Sequence, residues 1–186
     1  MSYKRHGLRL LAATLALNSA ASLAASSIAA AEEQTINAFS AWTGQGVVYD
    51  SGPNTGTFVG AISGTLYVHT DKGPASAGFM VCPAMLEIDL VDATQRGRGK
   101  CTITGDDGAK VFAEWTCQGV HLIGCDGEFK LTGGSGRMAG ITGTGSLTVR
   151  TTTRVASTDV KDEGSIAEIG SGILLLGDLA YDLPVQ

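Results

Sequence analysis

The sequence lacks an apolar run long enough to cross a membrane as a helix. Such a helix needs about 20 consecutive apolar residues, and the leucine-rich segment 8–17 has about half that length. The basic pair Lys4-Arg5 precedes this segment, and a run of small residues ending at Ala31 follows it. A short apolar stretch between basic and small residues is typical of a cleaved signal peptide. We therefore predict that residues 1–31 are removed on export and that the mature chain, residues 32–186, does not insert into a membrane.

Basic residues are scarce in the mature chain. Without the first 31 residues, 10 Lys and Arg face 18 Asp and Glu, a net charge of −8. Nucleic acids and other phosphate partners need clustered Lys and Arg. The clusters that remain are 150–154 and Arg96-Gly97-Arg98-Gly99-Lys100, and we interpret the latter as a solvated turn. The composition therefore argues against a nucleic-acid partner.

The four cysteines form no CxxC pair, and no histidine couple accompanies them, which argues against a zinc site. An even number of cysteines in an exported chain predicts two disulfides. Four cysteines allow three pairings. If residues 119–124 form a hairpin loop, Cys117 and Cys125 lie opposite each other on neighbouring strands, within bridging distance. Cys82 and Cys101 then pair by elimination. We predict no metal and no cofactor.

Helical periodicity is nearly absent from the mature chain. Abundant glycine, dense β-branched residues and frequent turn signals predict short antiparallel strands. Leu86, Ile88 and Leu90 alternate with acidic residues, as a strand with one apolar face requires. Eight such strands close into a barrel, because closure removes exposed sheet edges. We therefore predict an all-β fold with a single antiparallel eight-stranded β-barrel. The candidate strands are 36–50, 57–69, 85–92, 99–104, 110–117, 127–132, 145–152 and one within 172–183.

Turn residues separate these strands. Residues 105–108 close one hairpin, and residues 71–74 end another strand. Residues 173–176 are predicted to be a core strand. Residues 151–171 are polar and are predicted to be a long loop, either an ordinary solvent loop or a mobile lid over one mouth of the barrel.

The most distinctive segment is the glycine-rich run 125–145. Within it, residues 134–139 satisfy a dinucleotide-binding fingerprint, but that site needs a following helix, and the strand 146–150 follows instead. We interpret these glycines as bends and positive-φ positions at a barrel corner.

The same run resembles the hairpin of the allene oxide cyclase-like and dirigent-like barrels, most closely their small exported bacterial members. Two features carry this resemblance. They are Phe129, which precedes the segment 133–137, and a Gly-x-x-Gly-x-Gly pattern that begins at Gly140. The resemblance implies an eight-stranded barrel with an inner cavity. In the group as a whole it implies cyclisation of an unsaturated substrate or guidance of a coupling reaction. No motif here transfers the family's catalytic residues to this chain.

Candidate catalytic groups are few. His69 and His121 lie beside predicted loops, with no nucleophile elbow around a serine, which argues against a hydrolase triad. Glu114 and Glu128 are predicted to face each other across a hairpin, where a carboxylate pair raises one pKa and creates a general acid. The alternative, which we favour, is that both glutamates are solvated on the outer face.

Three aromatic residues, Tyr67, Trp115 and Phe129, are candidates for lining a cavity or for filling the core. An apolar cavity predicts a small hydrophobic ligand as the partner. We therefore predict an exported barrel that binds such a ligand or has a structural role. The alternative is a cofactor-free cyclase, isomerase or dirigent-like guide that acts on an unsaturated hydrophobic substrate.

Overall fold

The computed structural model describes residues 33–157 and 165–184. The predicted signal peptide, residues 1–31, lies outside them, as do residues 158–164 of the predicted polar loop. The described chain forms eight antiparallel strands, each hydrogen-bonded to the next and the last to the first. The predicted single eight-stranded β-barrel is confirmed. The strands are β1 (Gln34–Gly52), β2 (Thr55–Thr70), β3 (Gly73–Asp89), β4 (Thr94–Thr104), β5 (Lys110–Val120), β6 (Gly124–Ser135), β7 (Thr142–Ser157) and β8 (Ser165–Asp182).

The glycine-rich run forms the connection between β6 and β7. Its 3-10 turn, Gly136–Met138, is the only helical segment in the described part of the chain. Gly136 and Gly140 have φ angles of 61° and 79°, in the left-handed region that favours glycine. Because a strand follows rather than a long helix, the interpretation of this run as a barrel corner is confirmed. No helix among the described residues has the length and apolarity needed to cross a membrane.

The predicted polar loop over residues 151–171 is wrong for the described part of that segment. Residues 151–157 continue β7 and residues 165–171 begin β8. The two strands pair there, with Thr151 opposite Gly172 and Thr153 opposite Ser171. Threonine is a good strand residue because its branched side chain packs well on a pleated surface.

Strand β3 begins well before the predicted residue 85. Its first half was not predicted as a strand because it contains Pro74 and Pro83, and proline within a segment argues against a strand. Pro83 nevertheless takes an exposed position in the ladder, opposite Ala61 of β2. At the other end of β3, Leu86 and Ile88 follow the predicted alternation, whereas Leu90 lies in the following turn and is exposed.

The basic segment predicted to be a solvated turn lies inside strand β4. Arg96, Arg98 and Lys100 are exposed on the outer face, and Gly97 and Gly99 alternate with them on the inner face. The charged residues are therefore solvated as expected, but in a strand. Strand β8 alternates in the same way, so that only half of the predicted core segment 173–176 is buried.

Two disulfides bridge neighbouring strands inside the barrel. They join Cys82 to Cys101 and Cys117 to Cys125, as predicted. Cys125 is paired in register with Gly119, and Cys117 with Gly127, so the second bridge joins diagonal rather than directly opposite positions. All four cysteines are buried.

Large side chains fill the barrel near the β2–β3, β4–β5 and β6–β7 turns, which we call the filled end. Phe129 is the largest fully buried side chain, and Met80 and Leu176 are also fully buried. Ile141, from the β6–β7 connection, is buried in the same cluster, and Leu183 packs against it. We call the opposite end, at the β1–β2, β3–β4 and β5–β6 turns, the cavity end.

Candidate ligand cavity

A cavity of about 330 Å³ lies at the cavity end of the barrel. It exists because several inward positions there hold glycine or alanine, including Gly44, Ala84 and Gly170. Apolar and aromatic side chains form most of the rest of its wall. These are Trp42, Phe58, Ile62, Leu86, Trp115, Leu122, Leu147, Val149, Ile169 and Leu174.

Both tryptophans of the chain line this cavity. Trp42 of β1 is opposite Gly172 of β8, and Trp115 of β5 is opposite Gly99 of β4. A Cβ atom at Gly172 would lie 2.7 Å from Trp42 Cζ2, and one at Gly99 would lie 2.6 Å from Trp115 Nε1. Each indole therefore lies against the wall in space that glycine leaves free, and the middle of the barrel stays open at this end.

The two indole N–H groups are buried. Trp42 and Trp115 are 7% and 8% exposed. Neither Nε1 atom has a hydrogen-bond partner among the described residues. A buried donor without an acceptor costs about 1–3 kcal/mol, and proteins leave few such groups.

A hydrogen-bonded cluster of three polar side chains forms another part of the wall, which also includes Thr151. His121 Nδ1 lies 3.0 Å from Gln95 Oε1, and His121 Nε2 lies 3.2 Å from Glu168 Oε1. The side chains of His121 and Glu168 are 12% and 21% exposed, and Gln95 is buried. The cluster brings together strand β4, the β5–β6 turn and strand β8, which are distant in sequence.

The fold positions each member of this cluster. Gln95 is the first inward residue of β4, and Glu168 lies on β8 opposite Gly46 of β1. His121 lies in the β5–β6 turn, where its backbone N–H donates to the carbonyl of Ala93 at 2.8 Å. The histidine is thus fixed by both its backbone and its ring.

Two hydrogen-bond arrangements satisfy both ring nitrogens of His121. An imidazolium donates from both ring nitrogens to the oxygens of Gln95 and Glu168. A neutral ring that donates from Nε2 to the Glu168 carboxylate leaves Nδ1 as an acceptor, and the amide NH₂ of Gln95 satisfies it after half a turn of that amide. Both arrangements leave His121 hydrogen-bonded at both nitrogens.

The three aromatic candidates from the sequence lie in different places. Trp115 lines the cavity. Phe129 is opposite Trp115 on the neighbouring strand and is fully buried, but it does not line the cavity. Tyr67 lies on the outer face, where its ring stacks on Phe39 with centroids 5.5 Å apart. Of the three aromatic candidates, Trp115 alone therefore lines the cavity.

The predicted opposition of Glu114 and Glu128 is wrong. Strand β6 begins only after a turn of three residues, so the register places Glu114 opposite Lys130 and Glu128 opposite Thr116. Both glutamates are exposed on the outer face. Glu114 Oε1 lies 3.2 Å from Lys100 Nζ. Neither contributes to the cavity.

Sequence reasoning missed Gln95, His121 and Glu168 as a group. His121 lacked a nearby serine, and Glu168 fell in the segment predicted to be a loop. One signal could have placed Glu168: Gly170, Gly172 and Leu174 follow it at every second position. That alternation puts Glu168 on the inner face of a strand.

Two carboxylates outside the cavity have lowered pKa values. The pKa of Asp126 is lowered by hydrogen bonds from the Arg150 guanidinium and the Thr148 hydroxyl. The pKa of Asp107 is lowered first by the backbone N–H of Ala109 and then by Arg137. These pairs connect neighbouring turns or strands on the outside of the barrel.

The chain matches no protein-family model and no curated protein sequence.

Proposed function

We propose that the protein binds a small hydrophobic ligand inside its barrel. The observation that supports this is the cavity of about 330 Å³, with its mainly apolar wall and a few polar groups on one side. Ligand pockets generally have volumes of about 300–1,000 Å³ and the same division between apolar wall and sparse polar groups.

We further propose that the protein acts after export. Two disulfides inside a small domain support this, because such bridges persist in oxidising compartments. Kinship with the allene oxide cyclase-like and dirigent-like barrels is also a proposal. The closed order of eight antiparallel strands supports it. The exported protein should have the intact mass of a chain that begins at Glu32 and contains two disulfides.

The binding proposal can be tested with a neutral fluorescent probe, 1-aminoanthracene, whose emission rises in apolar surroundings. The substitution Ala84→Phe places a ring in the cavity, and we expect it to weaken binding by at least about tenfold. The matched control is Ala41→Phe, at an exposed position on the outer face of β1, which should leave the Kd unchanged. Equal affinity in both variants would contradict binding in this cavity and favour a structural role.

Native mass spectrometry of the protein isolated from its own host identifies the ligand itself. We expect a co-purifying hydrophobic molecule that is lost in the Ala84→Phe variant and retained in Ala41→Phe.

A cofactor-free isomerase is a second candidate, favoured by the hydrogen-bonded His121–Glu168 pair on the cavity wall. A histidine and a carboxylate in contact can move a proton to and from a bound substrate. The test is deuterium exchange into the α-position of 1-tetralone in D₂O. Exchange above the buffer rate that disappears in Glu168→Gln, with tetralone binding retained, would support it. Exchange at the buffer rate would contradict it.

A further inference from the structure

We propose that the outer face of strands β8, β1, β2 and β3 packs against a second copy of this chain. The proposal goes beyond ligand binding and does not rest on it, because it concerns the outside of the barrel. We call this surface the uncharged face. Its outward residues, which the strand register aligns, are Ile173 and Leu175 of β8, Phe39, Ala41, Thr43, Gln45 and Val47 of β1, Val59, Ala61, Ser63, Thr65 and Tyr67 of β2, and Phe79, Val81, Pro83 and Met85 of β3.

Charged residues are distributed unequally around the outside of the barrel. Residues 169–177, 34–49, 55–68 and 73–86 make up most of these four strands and contain no Asp, Glu, Lys or Arg. The other four strands carry exposed charges on their outer face. These are Arg96, Arg98, Lys100, Glu114, Asp126, Glu128, Lys130 and Arg150. One half of the outside is therefore an ordinary charged surface, and the other half is not.

The uncharged face also exposes large apolar side chains. Val59, Phe79, Val81, Ile173 and Leu175 are between 40% and 52% exposed. Because the register runs from β8 across β1 and β2 to β3 without a break, these side chains belong to one continuous surface. Monomeric proteins rarely expose contiguous apolar patches larger than a few hundred Å². A surface of this kind indicates an interaction site.

The size of the face fits a protein interface. Four strands at a spacing of about 4.8 Å are about 19 Å wide, and the stretch of β1 from Phe39 to Val47 is about 26 Å long, so the face covers roughly 500 Å² in flat projection. The accessible surface of protruding side chains is larger than this projection. It approaches the roughly 800 Å² that each partner contributes to an interface of standard size.

The charges favour a second copy as the partner. Residues 32–186 have a net charge of −8, so two copies repel each other through most of their surfaces. On the uncharged face they meet without bringing carboxylates together, and the core of an interface is typically depleted in charged residues. A charged partner would find no opposite charge there, and a lipid surface would find no Lys or Arg for its phosphates.

The closed barrel determines how two copies can associate. It has no free strand edge, so association takes place through a face. Two sheets that pack face to face keep their strands within about 30° of each other. Because the barrel is convex, the closest contact falls on the middle strands of the face, β1 and β2. Val59 of β2 is paired there with Val47 of β1 and with Met85 of β3. A charge at Val59 should therefore disturb the contact.

The experiment is sedimentation equilibrium of the exported, disulfide-bonded protein from about 1 µM to about 100 µM, a range in which weak interfaces of this size associate. We expect the wild type to have a mass of more than one chain. Val59→Glu places a carboxylate in the contact, where its burial without a counter-charge is costly, and should weaken self-association by at least about tenfold. The matched control is Thr116→Glu on the exposed outer face of β5, which should weaken self-association by less than about twofold. If Val59→Glu fails to fold, Val81→Glu on the neighbouring strand replaces it.

A second measurement uses only the wild-type protein and does not depend on the folding of a variant. In a sample mixed from ¹³C-labelled and unlabelled chains, isotope-filtered NOEs identify protons of different copies that lie in contact. We expect such NOEs from the methyl groups of Val59, Val81 and Leu175, and none from the methyl group of Thr116.

Two results would overturn the proposal. The first is a mass of one chain at every concentration, and sedimentation of that monomer with phosphatidylcholine vesicles would assign the face to a lipid surface instead. The second is self-association that persists unchanged in folded Val59→Glu, with intermolecular NOEs that arise from other surfaces. Neither result affects the binding proposal, because Ala84 and the other residues of the cavity wall are tested independently by their own probe.

Discussion

At both ends of the barrel, side chains alternate between the inner and the outer face of each strand. The interior is packed at one end and contains a cavity at the other. At the filled end, inward positions hold large side chains such as Met80, Phe129 and Leu176, which leave no exposed surface. At the cavity end, inward positions hold either small residues or indole rings that lie against glycines of the next strand. The difference shows that alternation alone decides which side chains point inward, while residue size decides whether the interior is packed or hollow.

The comparison extends to polar groups. Hydrogen-bonded polar side chains line the cavity end, where His121, Gln95 and Glu168 meet, whereas the large side chains that pack the filled end, Met80, Phe129 and Leu176, are apolar. Polar groups inside a protein are tolerated when they are hydrogen-bonded. The two indole N–H groups at the cavity end are exceptions.

The largest loss of stability should come from removing a large side chain from the filled end. Replacing Phe129 by alanine removes the largest fully buried side chain and should lower the free energy of unfolding by about 3–5 kcal/mol. The matched control is Phe112→Ala on the outer face of β5, where the ring is 41% exposed. Urea denaturation of both variants measures the difference. Equal losses would mean that the filled end is not packed as described.

The disulfide near the cavity should have the next largest effect. Replacing Cys117 and Cys125 together by serine should lower the free energy of unfolding by about 2–4 kcal/mol, because the unfolded chain gains freedom. Thermal and urea unfolding of the variant and of the fully oxidised wild type measure this loss. Unchanged unfolding, with the wild-type bridge verified by mass spectrometry, would refute the contribution of this bridge.

A smaller effect is expected from the glycines beneath Trp42. A Cβ atom at Gly172 would overlap the indole and the Arg150 carbonyl, so Gly172→Ala should cost about 1–3 kcal/mol. At Gly170 the nearest atom to a Cβ is 3.6 Å away. Gly170→Ala should therefore be neutral or stabilising by up to about 1 kcal/mol, because alanine restricts the unfolded chain.

Unfolding measurements on the two glycine variants test whether glycine holds the cavity end open. If both variants lose the same stability, the position of the indole does not depend on Gly172. Ligand binding gives an independent check, because Gly172→Ala displaces the ring and should change probe affinity more than Gly170→Ala.

Much of the fold could be predicted because alternation and turn residues report directly on strands. Strands β1 and β2 and the turn at residues 105–108 are visible in the pattern of residues, and one hairpin loop together with elimination predicts both disulfide pairs. The register between β5 and β6 was missed, because it depends on the length of one turn. Because the register differs from the predicted one by two positions, Glu114 lies opposite Lys130 rather than opposite Glu128.

The site could be predicted only in part, for a related reason. Strand β2 has apolar residues on both faces, so its pattern does not reveal that Tyr67 points outward while Leu66 points inward. The contact between His121 and Glu168 joins residues 47 positions apart. Such a contact follows from barrel closure, which places β8 and the β5–β6 turn around the same mouth of the barrel. It has no local signature in the sequence.

The smallest expected effect concerns the two outer ion pairs, one at each end of the barrel. Because the folded-state pKa values of Asp107 and Asp126 are lowered from 3.8, each ion pair contributes stability above pH 3.8 and loses it as the pH falls through the folded-state pKa.

Carboxyl ¹³C titration by NMR should give midpoints below 3.8 for both residues. Arg150→Gln should return the pKa of Asp126 toward its ordinary value and leave that of Asp107 lowered, and Arg137→Gln should act mainly on Asp107. Because these groups are exposed, added salt should reduce both shifts. If either substitution moved the pKa of both carboxyls equally, the assignment of Arg150 to Asp126 and of Arg137 to Asp107 would be contradicted.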